Sequence, residues 1–570
     1  MKMRIWRASF ALLLILSLFS VVGTSQAAAA SFSALNVTSS PSSKWLPRTD
    51  GIFAVWNDGR TGDNWNADIY ASSLTDGKEF AVASGSLDQR MPDIDGSIVV
   101  WEQGQSCPQN NLAPALAPTT STWVGCSRDI YAKNLVSGQE FIVANSSADE
   151  SDPAISGHFV IWVAKSVSNQ YMLQARDINT MAPVITLAHL NAPVATHRVA
   201  IDGNRVVWGE ESSDTGGVRH WRLLTIQIGE NNATVLDQGT ADNDQFSWDL
   251  HGDTVVYDFH NTAFNLKTIN LKYGDRFTPA FPNQQLPANP TTDGRYIFFE
   301  DYQALLGSKG ATLNLQGYDL LTGSYFGIIV NNGYNAAPLV RGGILVWQSG
   351  QSQTNGVYAT AVANVLPSAK QPVVPSTPER YYFPNTGHTL SFGFKYFWDH
   401  SGGLPIFGYP LTEEFSETNS DTGKVYTVQY FERERYEYHP EFRGTPYETE
   451  LGRLGAADAQ QRGLTGTGFF QTAPNSNDPN CTFFVQTGHN VCGTFKSFWQ
   501  SHGLEFGDQN VSFRESVALF GYPISEQFVQ NGITIQYFER AVLEYHPEKP
   551  QLYTVLLRLL GADLLTQRNW

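Results

Sequence analysis

A short apolar strand that ends in an aromatic residue recurs between residues 51 and 347. Each copy begins with a glycine, continues with four residues rich in Val, Ile and Phe, and closes on an aromatic ring. The glycines are Gly51, Gly96, Gly157, Gly203, Gly252, Gly294 and Gly342, and the aromatics are Trp56, Trp101, Trp162, Trp208, Tyr257, Phe299 and Trp347. A β-rich run between a tight turn and a bulky ring predicts a strand that is buried on both faces.

Further strands follow the first in the best copies. "ADIYASSL" at 67–74 and "RDIYAKNL" at 128–135 each lead through a turn to a third strand, "KEFAVA" or "QEFIVA". A sheet of three or four strands cannot bury both of its faces, so the copies must pack on one another around an axis. The fold class predicted is mainly β, with a seven-bladed β-propeller over residues 31–365 that the segment 32–37 closes; six blades are the alternative.

A proline precedes the glycine by four residues in five copies: Pro47, Pro92, Pro153, Pro290 and Pro338. The resulting "P…G..VVW" and "DIY…L" patterns resemble the TolB-like or WD40-like (PD40) propeller repeats of secreted bacterial proteins. The resemblance covers roughly residues 45–365. It implies a propeller that serves as a binding platform or as an enzyme scaffold.

The C-terminal third repeats a second pattern. "VQYFERERYEYHPE" at 428–441 and "IQYFERAVLEYHPE" at 535–548 agree at ten of fourteen positions, and "TGH" and "FGYP" precede both. We predict two small α+β modules, 381–465 and 482–570, after a Pro-rich linker at 366–380. In each module a short amphipathic helix follows TGH, a hairpin spans QYFER and EYHPE, and a helix closes the unit.

These modules resemble LGFP-type repeats of bacterial envelope proteins, although "FGYP" departs from the LGFP core. The resemblance implies attachment to the cell envelope through a cell-wall glycan or an envelope protein. The candidate ligand-binding residues are Tyr430, Glu432, Arg433 and His439 in the first copy, and Tyr537, Glu539, Arg540 and His546 in the second. For the histidines and the Glu-Arg pairs, a structural role is the competing interpretation.

The N-terminus carries basic residues, an apolar run from Phe10 to Val22 and then small residues, which predicts a secretory signal over 1–30. Its cleavage removes three positive charges and takes the formal charge from −17 to −20. A surface this acidic argues against nucleic acid and anionic lipid as partners. The expected location is therefore extracellular, in association with the cell surface, with no membrane span in the mature chain.

Four cysteines fall into two local pairs, Cys107 with Cys126 and Cys481 with Cys492. In an oxidising compartment these spacings favour two short-loop disulfides, although sequence alone allows three pairings. No cofactor is expected. Calcium at Asp58, Asp63 and Asp68 is the alternative to a solvated blade loop, since the spacing is not that of an EF-hand.

Catalytic motifs are scarce. The sequence contains neither the G-x-S-x-G nucleophile elbow nor HExxH, so no catalytic residue is assigned. We therefore expect a secreted or cell-surface binding protein, with the propeller as recognition platform and the modules as envelope attachment. An extracellular carbohydrate-active hydrolase with its site in the propeller channel is the alternative.

Overall fold

The computed structural model describes residues 34–60, 66–104, 127–190, 199–241, 246–261, 263–279, 281, 286–301, 313–328, 334–351, 354–371 and 373–570. The predicted secretory signal, the pair Cys107 and Cys126, and Asp63 all lie outside these residues. Within them, no helix is both long and apolar enough to cross a bilayer.

Four-stranded antiparallel sheets follow one another along the described chain up to Ala361. The first element, β1 (Leu35–Asn36), belongs to the last of these sheets. The next three sheets contain β2 (Lys44–Thr49), β3 (Phe53–Asp58), β4 (Asp68–Ser73) and β5 (Glu79–Ala83); β6 (Asp88–Asp95), β7 (Ile98–Gly104), β8 (Arg128–Asn134) and β9 (Glu140–Ala144); and β10 (Asp149–Ser156), β11 (Phe159–Lys165), β12 (Tyr171–Asp177) and β13 (Ile185–Leu190).

The remaining sheets of this region have the same order. They contain β14 (Ala200–Asp202), β15 (Arg205–Ser213), β16 (Arg219–Gln227) and β17 (Thr234–Ala241); β18 (Phe246–His251), β19 (Thr254–Asn261), β20 (Ala263–Asn270) and β21 (Arg276–Phe277); β22 (Pro287–Thr292), β23 (Tyr296–Asp301), β24 (Asn314–Asp319) and β25 (Ser324–Ile328); and β26 (Tyr334–Arg341), β27 (Ile344–Gln351) and β28 (Thr354–Ala361) with β1.

The sheets form a closed ring. The first strand of each sheet contacts the first strand of the next, from β2 through β6, β10, β14, β18 and β22 to β26, and β26 contacts β2. At the closure Leu35 and Asn36 of β1 pair with Ala359 and Tyr358 of β28. Sheets packed around an axis in this way form a β-propeller, so the predicted architecture is confirmed at this level.

The recurring prolines mark a bulge in the inner strands. The residue before each proline has positive φ: Leu46, Met91, Asp152, Asn289 and Ala337. The strand register shifts at the same place in all five sheets. Since proline has no N–H to give to the ladder, a bulge is where an inner strand tolerates it.

Four of these bulges tie neighbouring sheets together. The N–H of the bulged residue donates to the side chain that follows the strand-ending aromatic of the preceding sheet. The pairs are Met91 with Asn57 (3.1 Å), Asp152 with Glu102 (3.0 Å), Asn289 with Asp258 (2.9 Å) and Ala337 with Glu300 (2.6 Å). The bulge at each of these four prolines exposes the N–H of the preceding residue, and the polar residue after the aromatic of the neighbouring sheet accepts it. The two sequence features therefore form one inter-sheet hydrogen bond.

The C-terminal region contains two units with matching element order. The first has β29 (Arg380–Phe383), β30 (His388–Ser391), α1 (Phe392–His400), α2 (Gly403–Phe407), β31 (Phe415–Thr418), β32 (Val425–Tyr430), β33 (Arg435–Tyr438), β34 (Thr449–Leu451) and α3 (Leu454–Gln461). The second has β35 (Cys481–Phe484), β36 (His489–Cys492), α4 (Gly493–Ser501), α5 (Phe513–Phe520), β37 (Phe528–Gln530), β38 (Ile533–Tyr537), β39 (Val542–Tyr545), β40 (Val555–Leu557) and α6 (Leu560–Gln567).

The first unit continues a sheet of the propeller. Strand β31 pairs with the outer strand β25 through Ser324 opposite Glu417 and Tyr325 opposite Ser416. The result is one eight-stranded sheet in the order β22-β23-β24-β25-β31-β32-β33-β34. Its apolar core is shared, since Phe298 and Phe326 of the propeller belong to the same buried cluster as Tyr430.

The two units exchange their closing helices. Helix α3 of the first unit packs on the second, where the Ala456 N–H donates to the Glu539 carbonyl at 3.0 Å. Helix α6 of the second packs on the first, where the Ala562 N–H donates to the Glu432 carbonyl at 3.2 Å. Each "FER" bend is therefore held by the helix of the other unit.

Glycine is required at both contacts. A Cβ on Gly455 would lie 2.1 Å from the carbonyl oxygen of Phe538, and one on Gly561 would lie 1.9 Å from that of Phe431. No real Cβ contact is that short, so a side chain at either position would push the exchanged helix away. The "LG" pair that opens both closing helices is explained by this approach.

Candidate functional site

The predicted tyrosines are buried and bonded inside the fold. The Tyr430 hydroxyl donates to Glu417 Oε2 at 3.0 Å, and the Tyr537 hydroxyl donates to Asp458 Oδ2 at 2.8 Å. Both side chains are 0% exposed, and burial raises the pKa of both phenols. Tyr430 and Tyr537 thus anchor the hairpins from within.

The predicted glutamates hold the FGYP turns. Glu432 Oε2 accepts the N–H of Tyr409 at 3.1 Å, and Glu539 Oε2 accepts that of Tyr522 at 3.1 Å. The preceding glycine of each turn has positive φ and sits directly against the same carboxylate. Glu432 and Glu539 remain partly exposed, with side-chain exposures of 30% and 19%.

The adjacent arginines have different partners in the two units. The Arg433 guanidinium lies 3.9 Å from Glu432 Oε2 and is 23% exposed. Arg540 Nε donates to the Leu451 carbonyl of the other unit at 3.0 Å. The side chain of Arg433 therefore contacts its own turn, whereas that of Arg540 bonds to the other unit.

The predicted histidines lie between carboxylates. His439 is 3.4 Å from both Glu437 and Glu441, and His546 is 3.3 Å from Glu544 and 3.0 Å from Glu548. Although burial lowers it, the pKa of His439 is raised by Glu437 and its neighbours. Both histidines thus have their ring nitrogens next to carboxylates of the same hairpin.

The structure thus brings each set of four residues onto one hairpin, where most of their polar atoms bond internally. Ligand binding at these hairpins stays a prediction. In the first hairpin, the partly exposed side chains of Glu432 and Arg433 are the ones that a ligand can contact.

The remaining sequence candidates are structural or incomplete. Cys481 and Cys492 are joined by a disulfide across the hairpin of β35 and β36. Asp58 accepts hydrogen bonds from Ser42 and Arg60, and Asp68 accepts one from the N–H of Gly85. Among the residues that the structure describes, no cluster of three metal-ligating side chains occurs.

Charged side chains from several sheets converge on the propeller channel. We call Arg48, Asp93, Asp249, Thr291 and Arg341 the channel cluster. Arg341 of β26 forms a bidentate pair with Asp249 of β18, with distances of 2.6 and 3.0 Å. These strands belong to sheets that are two positions apart in the ring, so the contact is made across its inner face.

Asp249 is fully engaged. Its Oδ2 also accepts the Thr291 hydroxyl at 2.7 Å and the Thr292 N–H at 2.9 Å. Although burial raises it, the pKa of Asp249 is lowered because of Arg341. Arg341 further donates to the carbonyls of Thr292, Val340 and Leu250, so this half of the cluster is a fixed structural pair.

The side chains of Arg48 and Asp93 make fewer hydrogen bonds than those of Arg341 and Asp249. Arg48 Nη1 donates to the Pro47 carbonyl at 2.9 Å, and this is the one hydrogen bond of its side chain within the described part of the chain. Asp93 Oδ2 accepts the Ile155 N–H at 2.9 Å. Burial raises the pKa of Asp93, and burial together with Arg341 lowers the pKa of Arg48. The channel therefore offers a guanidinium and a carboxyl group with unused hydrogen-bonding capacity.

Sequence reasoning missed this cluster. Arg48, Asp93, Asp249 and Thr291 all stand three residues before the turn glycine of their copies. Aligning the seven copies at that position, where Ala154, Ala200 and Leu339 stand in the other three, is the signal that would have found them.

No protein-family model matches the sequence, and no curated protein matches it either. Solved structures with a similar fold include the β-propeller domain of the Trilobed protease from Pyrococcus furiosus, at 10% identity and a TM-score of 0.41, covering 56% of this chain and 95% of that one. Puromycin hydrolase is 13% identical with a TM-score of 0.42, covering 71% and 62%. Pyrococcus horikoshii acylaminoacyl peptidase is 11% identical with a TM-score of 0.36, covering 64% of this chain and only 52% of its own. At these scores the likeness carries no inference about activity.

Proposed function

We propose that the protein is a secreted or cell-surface binding protein. In this proposal the sheets of residues 34–361 are the seven blades of a propeller that recognises a protein or glycan ligand at its channel. The two C-terminal units, as LGFP-like repeats, attach it to the cell envelope. The basic and apolar N-terminal sequence supports export.

The observation that carries the recognition role is the state of Arg48. A guanidinium has five donors in a planar fork, and Arg48 uses one of them on a carbonyl of its own strand. Asp249 is already paired with the nearby Arg341. The carboxylate of the channel cluster that remains to interact with Arg48 is therefore that of Asp93. Arg48 is therefore placed to bind an acceptor group of a ligand, such as a carboxylate or a sugar hydroxyl.

The continuous sheet supports the attachment role. Because β25 and β31 are hydrogen-bonded, a force on the C-terminal units passes to the propeller through sheet and shared core. The arrangement suits a protein whose recognition domain is held in a fixed orientation on a surface.

Retention of the mature protein on purified cell-wall material tests the attachment role, and capture of solubilised envelope proteins or soluble wall fragments by the immobilised protein tests recognition at the channel. We expect Arg48→Gln to weaken capture of the channel's ligand about 10- to 100-fold, since a hydrogen bond from a charged group is lost. Arg276→Gln, which removes an exposed arginine of β21, is the matched control and should leave capture unchanged. Equal capture by wild type and Arg48→Gln contradicts channel recognition.

One observation favours a carbohydrate-active hydrolase as a second candidate. The channel cluster contains two carboxylates whose pKa values are shifted in opposite directions, Asp93 upward and Asp249 downward. Of the two, Asp93 has the raised pKa that a general acid needs, whereas the bidentate pair with Arg341 keeps the pKa of Asp249 low. Release of reducing sugar from a polysaccharide panel that Asp93→Asn abolishes would establish this candidate in place of simple binding.

A further inference from the structure

Phe392 has a backbone conformation that its side chain disfavours. Its φ is +46°, in the left-handed region, where a bulky residue is an outlier. The equivalent residue of the second unit is Gly493, with φ +55°. The same turn therefore exists in both units, but only the second uses the residue type that the backbone prefers.

The side chain of Phe392 does not pack in the apolar core. Its side chain is 71% exposed, and Tyr396, one turn later on α1, is 67% exposed. The ring of exposed His400 stacks on that of Tyr396, with centroids 4.1 Å apart. Phe392, Tyr396 and His400 thus form an exposed aromatic stripe, which we call the α1 stripe.

The second unit has no such stripe. The positions that correspond to Phe392, Tyr396 and His400 are Gly493, Ser497 and Ser501 on α4. A stacked aromatic–histidine pair does recur there one position on, between Phe498 and His502, with centroids 4.1 Å apart, but both of its side chains are half-buried. The exposed rings at 392, 396 and 400 are therefore not needed for the fold. Backbone strain and solvent exposure at a site that folding does not require point to binding.

We infer that the α1 stripe binds a neutral polysaccharide by stacking the apolar faces of its sugar rings. Three side chains at successive helical turns span about 12 Å, which suits a short run of sugars. Together they offer roughly 500 Å², below the about 800 Å² per partner of a stable protein interface. This size argues against a second copy of the chain or another protein as the occupant.

The polar groups agree with an uncharged sugar. His400 Nδ1 donates to the Tyr396 carbonyl at 2.7 Å, which leaves Nε2 to hydrogen-bond with a ligand hydroxyl. The charged residues next to the stripe, Lys395 and Asp399, pair with each other at 2.6 Å. Within α1 these two charges cancel. The exposed Glu379, whose carbonyl accepts the Phe392 N–H at 2.8 Å, adds negative charge beside the stripe, so it and the acidic protein repel polyanionic ligands.

This inference rests on the proposed envelope attachment and names its chemistry. The test is calorimetric titration of the mature protein with soluble pentasaccharides of glucose and of N-acetylglucosamine, each β-1,4-linked. The variant Phe392→Gly with Tyr396→Ser and His400→Ser gives α1 the residues that α4 already accepts, so its fold should be retained. We expect it to lose at least about 10-fold in affinity for the oligosaccharide that the wild type binds.

Tyr273→Ser removes an equally exposed ring, 69% exposed, from the propeller and should have no effect. The inference is overturned if the wild type binds neither pentasaccharide, if the triple variant binds as tightly as the wild type, or if the stripe instead drives self-association. Arg48→Gln should bind the pentasaccharide with wild-type affinity. A wrong channel proposal would therefore show in the capture experiment, and a wrong stripe inference would show in the calorimetric titration.

Discussion

The phenol of Tyr537 donates a 2.8 Å hydrogen bond to Asp458, a residue 79 positions earlier that belongs to the other C-terminal unit. Asp458 is 0% exposed and also pairs with Arg462 at 2.7 Å. The first unit's Tyr430 bonds within its own sheet to Glu417, and Glu417 is reached by Arg568 from the second unit at 2.7 Å. Each QYFER segment is thus completed by a residue at or just beyond the other unit's closing helix, so one copy alone lacks part of its core.

The first prediction concerns the two helix contacts. Gly455→Ala and Gly561→Ala should each destabilise the protein by about 1–3 kcal/mol, because the new Cβ would overlap a carbonyl oxygen of the other unit. Gly466→Ala adds the same atom where nothing lies within 4 Å and should be nearly neutral. Urea unfolding of the three variants measures the difference; similar stabilities for all three would show that the helices are not held as described.

A second prediction separates the two channel arginines. Arg341→Gln should cost about 3–5 kcal/mol in unfolding free energy, because Asp249 is left as a buried charge without its partner. Arg48→Gln should cost less than about 1 kcal/mol, since Arg48 has one hydrogen bond to a carbonyl. Thermal and urea denaturation give both values, and a reversed order would contradict the assignment of Arg341 to structure and Arg48 to ligand.

A third prediction tests the strain at Phe392. Phe392→Gly should stabilise the protein by about 1 kcal/mol, since glycine adopts positive φ without penalty. Phe392→Ala removes the same exposed ring but keeps a Cβ, so it should give no gain. Equal effects of the two substitutions on the unfolding free energy would mean that the ring, not the backbone, determines the result.

The fourth prediction is a pH dependence at Glu150, which is 1% exposed and accepts hydrogen bonds from the Ser146 backbone N–H at 3.1 Å and from the Ser146 hydroxyl. Burial, with Asp129 and Asp149 nearby, raises its pKa from 4.5 to about 7. The folded state therefore keeps a proton that the unfolded chain releases, and this contribution to stability is lost as pH rises from about 4.5 to 7.

Glu150→Gln keeps a neutral side chain at every pH. Its unfolding free energy relative to wild type should increase between pH 5 and pH 8. Parallel pH profiles for the two proteins would show that Glu150 does not titrate in this range.

The propeller was predictable because its signal is local and repeated. A turn glycine, a β-branched run and an aromatic recur in register, and the rings they predict as buried are at most 1% exposed. The helix after TGH and the hairpin from Val425 to Tyr438 follow from periodicity in the same way. Each needs only information from neighbouring residues.

The channel cluster and the helix exchange depend on residues far apart in sequence. Nothing near Arg341 indicates that its partner is Asp249, 92 positions away, because the pairing is created by closure of the ring. Likewise Gly455 looks like an ordinary helix residue until the bend at Phe538 is placed against it. The segment 366–380 was predicted as a linker from its prolines, yet Leu366 is 5% exposed and packs in the core that the propeller shares with the C-terminal units.

Fragment complementation tests most directly whether the two units are one interlocked pair. Residues 31–465 and 466–570, expressed as separate chains in the same cell, should co-purify as a one-to-one complex, since α3 and α6 must each find the other unit. Gly561→Val in the shorter chain should abolish the complex. Two chains that fold as independent monomers and do not associate would contradict the exchange.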